Sequence, residues 1–385
     1  MHYDAMVIGA GPAGCMAART LTRAGFKVLL LEKERIPRDK ACGGFLPPGA
    51  VRMVEESFGP IPADCLAQDP EMLGARLLCE GGGEYELPFP SPGLAVDRRR
   101  FDAFLAEECG AELRDGREVE EFTALRFNVH LVAVGEEGRE ELSSTYLVAA
   151  DGADSLSLRL LRPEFHRLYA VPALGYGMLV SGEGDLDWDP RWMGLALLRR
   201  GSGLARFFRR GDLVVLAVNI MPGREWKVEL DRLMVFLRER VGLRMEGEMV
   251  RRTAASNRMG SAGHYNLGAG CALLAGEAAG LLDPWGFGIR LALESGRVAA
   301  ESLVESAGER ITPHVRYRYR MRGILEREAG QRKKLGGLVG ELDTSSLSSG
   351  KNARRDFNGV RSSIFGHDRT QRLSLASRLH RRSKM

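Results

Sequence analysis

Residues 4–32 read DAMVIGAGPAGCMAARTLTRAGFKVLLLE. The run at 4–9 is a short buried strand, Pro12 to Ala24 has the alanine, methionine and leucine content of a helix packed on a sheet, and KVLLL at 27–31 is a second buried strand. Strand, glycine turn, helix and strand make a βαβ unit, which requires parallel strands and a right-handed crossover. Gly9, Gly11 and Gly14 keep the spacing GxGxxG. Gly9 permits the sharp turn, Gly11 removes the Cβ that would strike a pyrophosphate, and Gly14 lets helix and strand approach. The helix opens at Pro12 and Ala13, and the free N–H groups after the proline together with the positive helix end hold phosphates. Glu32, 18 residues after Gly14, closes the second strand where a carboxylate accepts hydrogen bonds from a ribose diol, with Lys33 beside it. The unit therefore predicts dinucleotide binding, and the acid argues against a 2′-phosphate.

Further along the chain, Arg98 to Glu108 reads as a helix, and 111–149 alternates as antiparallel strands do. Leu147 to Ala150 is a strand entering Asp151-Gly152. Strand-like runs at 173–180, 193–198 and 213–220 and a helix at 226–241 suggest a second, mostly antiparallel lobe. Buried-strand character returns at 271–275, and 289–305 is a long helix whose small residues allow close packing. The predicted fold class is α/β: a Rossmann-type domain in three parts (1–70, 96–164 and 253–306) with an inserted α+β lobe (71–95 and 165–252). A helical segment at 307–341 and a basic tail at 342–385 follow.

The 385 residues are too many for one small core, and 44% hydrophobic with 28% charged residues excludes global disorder and a membrane-embedded chain. Forty-seven glycines, about 12% against roughly 7% in ordinary proteins, imply many tight turns and close backbone approaches. The net charge of +4 is uneven: residues 351–385 hold ten Lys or Arg against two Asp, +8, which leaves residues 1–350 at about −4. That tail is either a solvated terminus or a contact for an anionic membrane surface or an acidic protein, in preference to nucleic acid. Six scattered cysteines and seven histidines form no zinc, disulfide or triad spacing, so no metal is expected. With a strand beginning by residue 4 and no apolar run of about 20 residues, a cytoplasmic location is expected, membrane-peripheral if the basic tail meets lipid.

NAD and FAD share the first fingerprint, and two later segments separate them. VAADGADS at 148–155, with Arg159 beyond, follows a strand, and so does LAGEAAGLLDPWGFG at 274–288. Together with the first turn, these segments resemble the FAD-dependent oxidoreductases of the hydroxybenzoate-hydroxylase class, and most closely the geranylgeranyl reductase family. The resemblance spans about 1–50, 95–160 and 255–305, and it implies FAD. PRDKACGG at 37–44 looks like that family's cysteine-glycine stretch beside the flavin, and DRRRFD at 97–102 is similar to its helix start, from which Arg98 is expected to contact the cofactor. The third segment usually begins Gly-Asp in the family; here Gly276 is followed by Glu277, which keeps the acceptor chemistry with a reach one methylene longer. Many aromatic hydroxylases carry His where Gly280 stands, which favours the reductase branch.

The resemblance implies cofactor contacts at Gly9, Gly11, Pro12, Ala13, Gly14, Glu32, Lys33, Cys42, Gly43, Arg98, Asp151, Gly152, Gly276, Glu277, Gly286, Phe287, Gly288 and Ile289. The amides between Pro284 and Ile289 would stabilise negative charge on the reduced ring, because a helix N-terminus carries roughly half a positive charge. Gly286 and Gly288 are therefore expected to act in the reaction together with Cys42, whose sulfur either meets the ring or is a small packing group. The expected activity is hydride transfer from reduced flavin to an unsaturated, apolar or carrier-linked substrate, with NADH, NADPH or a small electron-transfer protein as donor. A flavin monooxygenase and a non-catalytic flavin-binding accessory protein docking through the tail are the rivals. The aromatic/proline sequence of the archaeal lipid reductases' substrate lobe is absent, and Trp188, Pro190 and Trp192 do not match the tryptophan motif of flavin halogenases.

Overall fold

A computed structural model describes residues 2–198, 204–220, 223–283, 286–309 and 311–343. The segment 351–385 to which a membrane or protein contact was assigned lies outside them, as do Pro284 and Trp285. The first sheet orders its strands Gly268–Ala269, Ala272–Leu274, Gly138–Ala149, His2–Ile8, Val28–Leu31 and Glu112–Arg114. From Ala272–Leu274 to Glu112–Arg114 every pairing is parallel, as the βαβ unit requires. Glu118–Leu125 and Asn128–Gly135 form an antiparallel meander with Gly138–Ala149, so the alternating stretch at 111–149 serves both pairing types. All four residues of Val28–Leu31 are buried, which fits a central strand covered on both faces.

The helices Pro12–Arg23 and Gly288–Ser306 pack against each other below this sheet. Their approach depends on absent side chains. A Cβ on Gly14 would lie 1.9 Å from the Gly9 carbonyl oxygen, and one on Gly296 would lie 2.1 Å from that of Ala13. Gly296→Ala should therefore lower stability by about 1–3 kcal/mol through overpacking, although alanine is the better helix former by up to about 1 kcal/mol. Urea melts of both proteins check this, and an unchanged or raised midpoint would contradict the packing.

The second sheet runs Arg244–Met245, Leu174–Asp185, Leu213–Ile220, Leu204–Arg210, Trp192–Leu197, Leu66–Cys79, Glu84–Val96 and Phe45–Leu46, with Val250–Asn257 also paired to Leu174–Asp185. It is antiparallel except where Trp192–Leu197 lies parallel to Leu66–Cys79. Phe45–Leu46 and most of Val250–Asn257 fall outside the spans 71–95 and 165–252 expected for this lobe, because both are drawn in by ladder pairing. One face buries Leu216, Val218 and Phe207 against Leu233 and Leu237 of the helix Trp226–Val241. The other gathers Phe45, Phe89, Met193 and Leu195, with Phe287 packed against them. Trp188 is a core residue, edge-on to Phe207.

The helix Pro313–Asp343 closes the first layer from outside. Tyr317 is fully buried and donates its hydroxyl to the Leu274 carbonyl at 3.1 Å, while Arg316 and Arg320 pair with Glu301, Glu305 and Glu309. Among the described residues no helix is long and apolar enough to cross a membrane.

Candidate active site

One cavity runs from the first glycine turn to the start of the Gly288–Ser306 helix. At the turn, Gly9 adopts φ +93°, and a Cβ there would meet the Ala150 carbonyl at 2.5 Å. Gly11 differs: its φ of −85° suits any residue, and the nearest atom to a Cβ would be Arg38 Nη2 at 3.9 Å. Gly11, Pro12 and Ala13 line the cavity; Gly9 and Gly14 lie behind it as packing positions. No side chain caps the Pro12–Arg23 helix, so its positive end faces open space.

Glu32 is buried, with one carboxylate oxygen accepting from Ala10 N at 2.9 Å and the other from Glu34 N at 3.1 Å. Lys33 is exposed and does not line the cavity, which corrects its assignment: it lies in a bend past the end of the strand Val28–Leu31. The cations brought in instead are Arg38, which bridges Glu32 at 3.5 Å and Asp102 at 3.3 Å, and Lys40, which lines the cavity. Both lie in the PRDKACGG stretch, where the reading weighted cysteine and glycine.

Two acids depart from expectation. Asp151 does not line the cavity, although Ala150 and Gly152 do. Its carboxylate accepts from Ser155 Oγ at 2.7 Å and from Ser157 N at 2.9 Å, so it secures the start of the helix Leu156–Leu161. Glu277 lines the cavity, but one oxygen is taken by Asn257 N at 2.7 Å. Burial pushes its carboxyl upward, against the opposing pull of that amide and Lys40. Gly276 beside it donates its N–H to Ser295 Oγ at 2.9 Å. His264 stacks on Tyr169 at 4.0 Å and is not part of the cavity wall.

At the far end the expected row of amides is thinner than the sequence suggested. Gly286 N donates to the Asp283 carbonyl at 2.9 Å and Phe287 N to the Asp283 carboxylate at 2.7 Å. This leaves Gly288 and Ile289, at a helix start that no side chain caps. Burial pushes the Asp283 carboxyl up to about 7, although Arg290, the Phe287 amide and Arg206 oppose it. Arg206, from the second sheet, lines the cavity, stacks on Phe287 at 5.4 Å and reaches Gly286.

Cys42 and Gly43 line the middle of the cavity. Cys42 Sγ accepts from Gly44 N at 3.4 Å. Burial would raise its thiol, but Arg98 and the Gly44 amide outweigh burial and hold it below the ordinary value. Arg98 lines the same wall, yet its guanidinium is held by Asp102 in a bidentate pair at 2.8 and 2.9 Å. It therefore acts on Cys42 as well as facing the cavity. Arg210 donates to the Gly43 carbonyl, an approach across 167 residues that no local pattern signals. Phe45, Leu179, Met193, Phe208 and Ala217 supply an apolar wall.

A pyrophosphate fits at Gly11, where a Cβ would be needed to fill the space beside the uncapped helix end; Glu32 stands behind the turn, holding the Ala10 amide, and does not line the cavity. Fold and site together define an FAD-dependent oxidoreductase. Residues 2–307 match the family model described as FAD binding domain, and the chain belongs to that family. Menaquinone reductase of Mycolicibacterium smegmatis is 32% identical over 326 residues, covering 79% of this chain and 77% of that one. Geranylgeranyl diphosphate reductase of Rhodobacter capsulatus is 38% identical over 111 residues, 29% of this chain and 26% of that protein. Among solved structures, a geranylgeranyl bacteriochlorophyll reductase-like protein from Thermoplasma acidophilum superposes with a TM-score of 0.71 at 20% identity, over 94% and 96% of the two chains. The flavin-dependent brominase Bmp2 shares the fold at 0.69 and 17% identity, over all of both chains.

Proposed function

We propose that the protein saturates a carbon–carbon double bond in the isoprenoid part of an apolar or carrier-linked substrate. The observation that carries this reading is the wall of Phe45, Leu179, Met193 and Phe208, which shares its cavity with Cys42 and with the amides of Gly288 and Ile289. Such a wall suits a hydrocarbon chain. The relatives named above act, by their names, on menaquinone and geranylgeranyl diphosphate, both of which carry isoprenoid chains.

FAD, when bound and reduced, supplies the hydride. The apolar wall orients the chain and excludes water, and the uncapped amides of Gly288 and Ile289 favour negative charge at the ring. Saturation also needs a proton, which Cys42 Sγ gives to the second carbon and regains from water. Arg98 stabilises the thiolate left behind. NADH, NADPH or a small electron-transfer protein returns two electrons to the flavin.

The test is anaerobic turnover of menaquinone and of geranylgeranyl diphosphate with chemically reduced holoprotein, read by mass spectrometry. We expect two hydrogens gained per bond without oxygen. Product formed only with oxygen, and carrying an oxygen atom, would instead identify a monooxygenase.

A further inference from the structure

The helix Pro313–Asp343 lies beyond residues 2–307 of the family model, yet it sends two charged side chains toward the loop that begins the Gly288–Ser306 helix. Arg290, in the first turn of that helix, donates to Glu294 at 3.0 Å and to Glu328 at 2.7 Å. Glu328 is 1% exposed. Arg327 donates to Glu294 at 2.7 Å and lies 3.6 Å from Glu328. On the other side, Arg290 and Glu328 both act electrostatically on Asp283, whose carboxylate and carbonyl hold the amides of Phe287 and Gly286. The outer helix thus holds a buried ion pair on the first turn of the Gly288–Ser306 helix, at the residue directly after the cavity-lining Gly286–Ile289.

A cation in the first turn opposes the positive end of a helix, so Arg290 needs compensation there. Glu294 supplies part of it from the same helix. Glu328 supplies the rest through a pair that excludes water, where charge is weakly screened. We infer that Glu328 is a positioning residue for the flavin: through Arg290 it fixes the Gly286–Ile289 segment and the net charge behind it, and so sets how readily bound FAD accepts electrons. The inference rests on the FAD site alone and holds whichever substrate is reduced.

Glu328→Gln keeps the shape and a hydrogen-bond acceptor but removes the negative charge. Arg290 is then less compensated, which favours the extra negative charge of the reduced ring. Arg327→Gln, at a partly exposed side chain, removes a positive charge from the same cluster and acts in the opposite sense. The experiment titrates the midpoint potential of the full-length holoprotein and both variants against a reference dye, with thermal melts alongside. For Glu328→Gln we expect the reduction equilibrium to shift about tenfold toward reduced FAD, about 30 mV for a two-electron couple. For Arg327→Gln we expect a smaller shift toward oxidised FAD. Potentials equal to wild type, or shifts of the same sign that follow loss of thermal stability, would reduce the cluster to a structural clasp and overturn the inference. Should Glu328→Gln fail to fold, the sign of the Arg327→Gln shift alone decides.

Discussion

Gly11→Val is expected to give a folded but colourless protein. The backbone at Gly11, φ −85° and ψ −179°, lies in the extended region that valine prefers, and the space around its Cβ is open to 3.9 Å. The backbone and the space at Cβ accept a side chain there. Its methyl groups instead fill the space at the uncapped N-terminus of the Pro12–Arg23 helix, where a diphosphate would need to meet the amides. Losing those contacts should weaken FAD binding by at least about 10³-fold, about 4 kcal/mol. Titration of apoprotein with FAD, read by flavin fluorescence, measures the loss, and circular dichroism checks the fold. A variant that purifies fully yellow would refute the placement of the diphosphate.

Cys42→Ala should cut turnover by about 10²–10⁴-fold, the usual range for losing a positioned acid, while FAD stays bound. Its pH profile carries a sign. The wild-type thiol is held below its ordinary value, so an acid role is fully present at low pH and fades as the proton leaves. The descending limb should therefore lie at lower pH than for a free cysteine. Arg98→Met, which removes the largest lowering influence, should move that limb to higher pH. Rates and pH profiles measured anaerobically with reduced holoprotein test both statements. Full activity in Cys42→Ala would leave Cys42 as a small packing residue against the Gly44 amide.

The dinucleotide layer was legible because its signals are local. Glycine spacing, apolar runs and a terminal acid all act within 32 residues, and the strand pairings Ala5–Val28 to Ile8–Leu31 follow from them. Lys33 is exposed because the strand ends at Leu31, a boundary that the apolar run by itself does not place. Asp151 was misread because a motif seen at a strand end competes with a local one. Ser155 and Ser157 lie four and six residues on, where their hydroxyl and amide capture the carboxylate. Arg206, Arg210 and Glu328 carried no sequence signal at all, and Arg38 lay in a stretch read for its cysteine and glycines. Their placement depends on approaches between distant segments, such as Arg210 to Gly43, that exist only after the two sheets have packed.

The second sheet draws on Phe45–Leu46, Leu66–Val96 and residues 174–257, and only its inward side meets the reaction space. Grip on the adenine-bearing carrier and choice of what is transformed are thereby entrusted to different strands. Replacing Phe45, Leu179, Met193 or Phe208 can reshape selectivity while the diphosphate cradle at Gly11 stays untouched. Such a division confines redesign to a single wall.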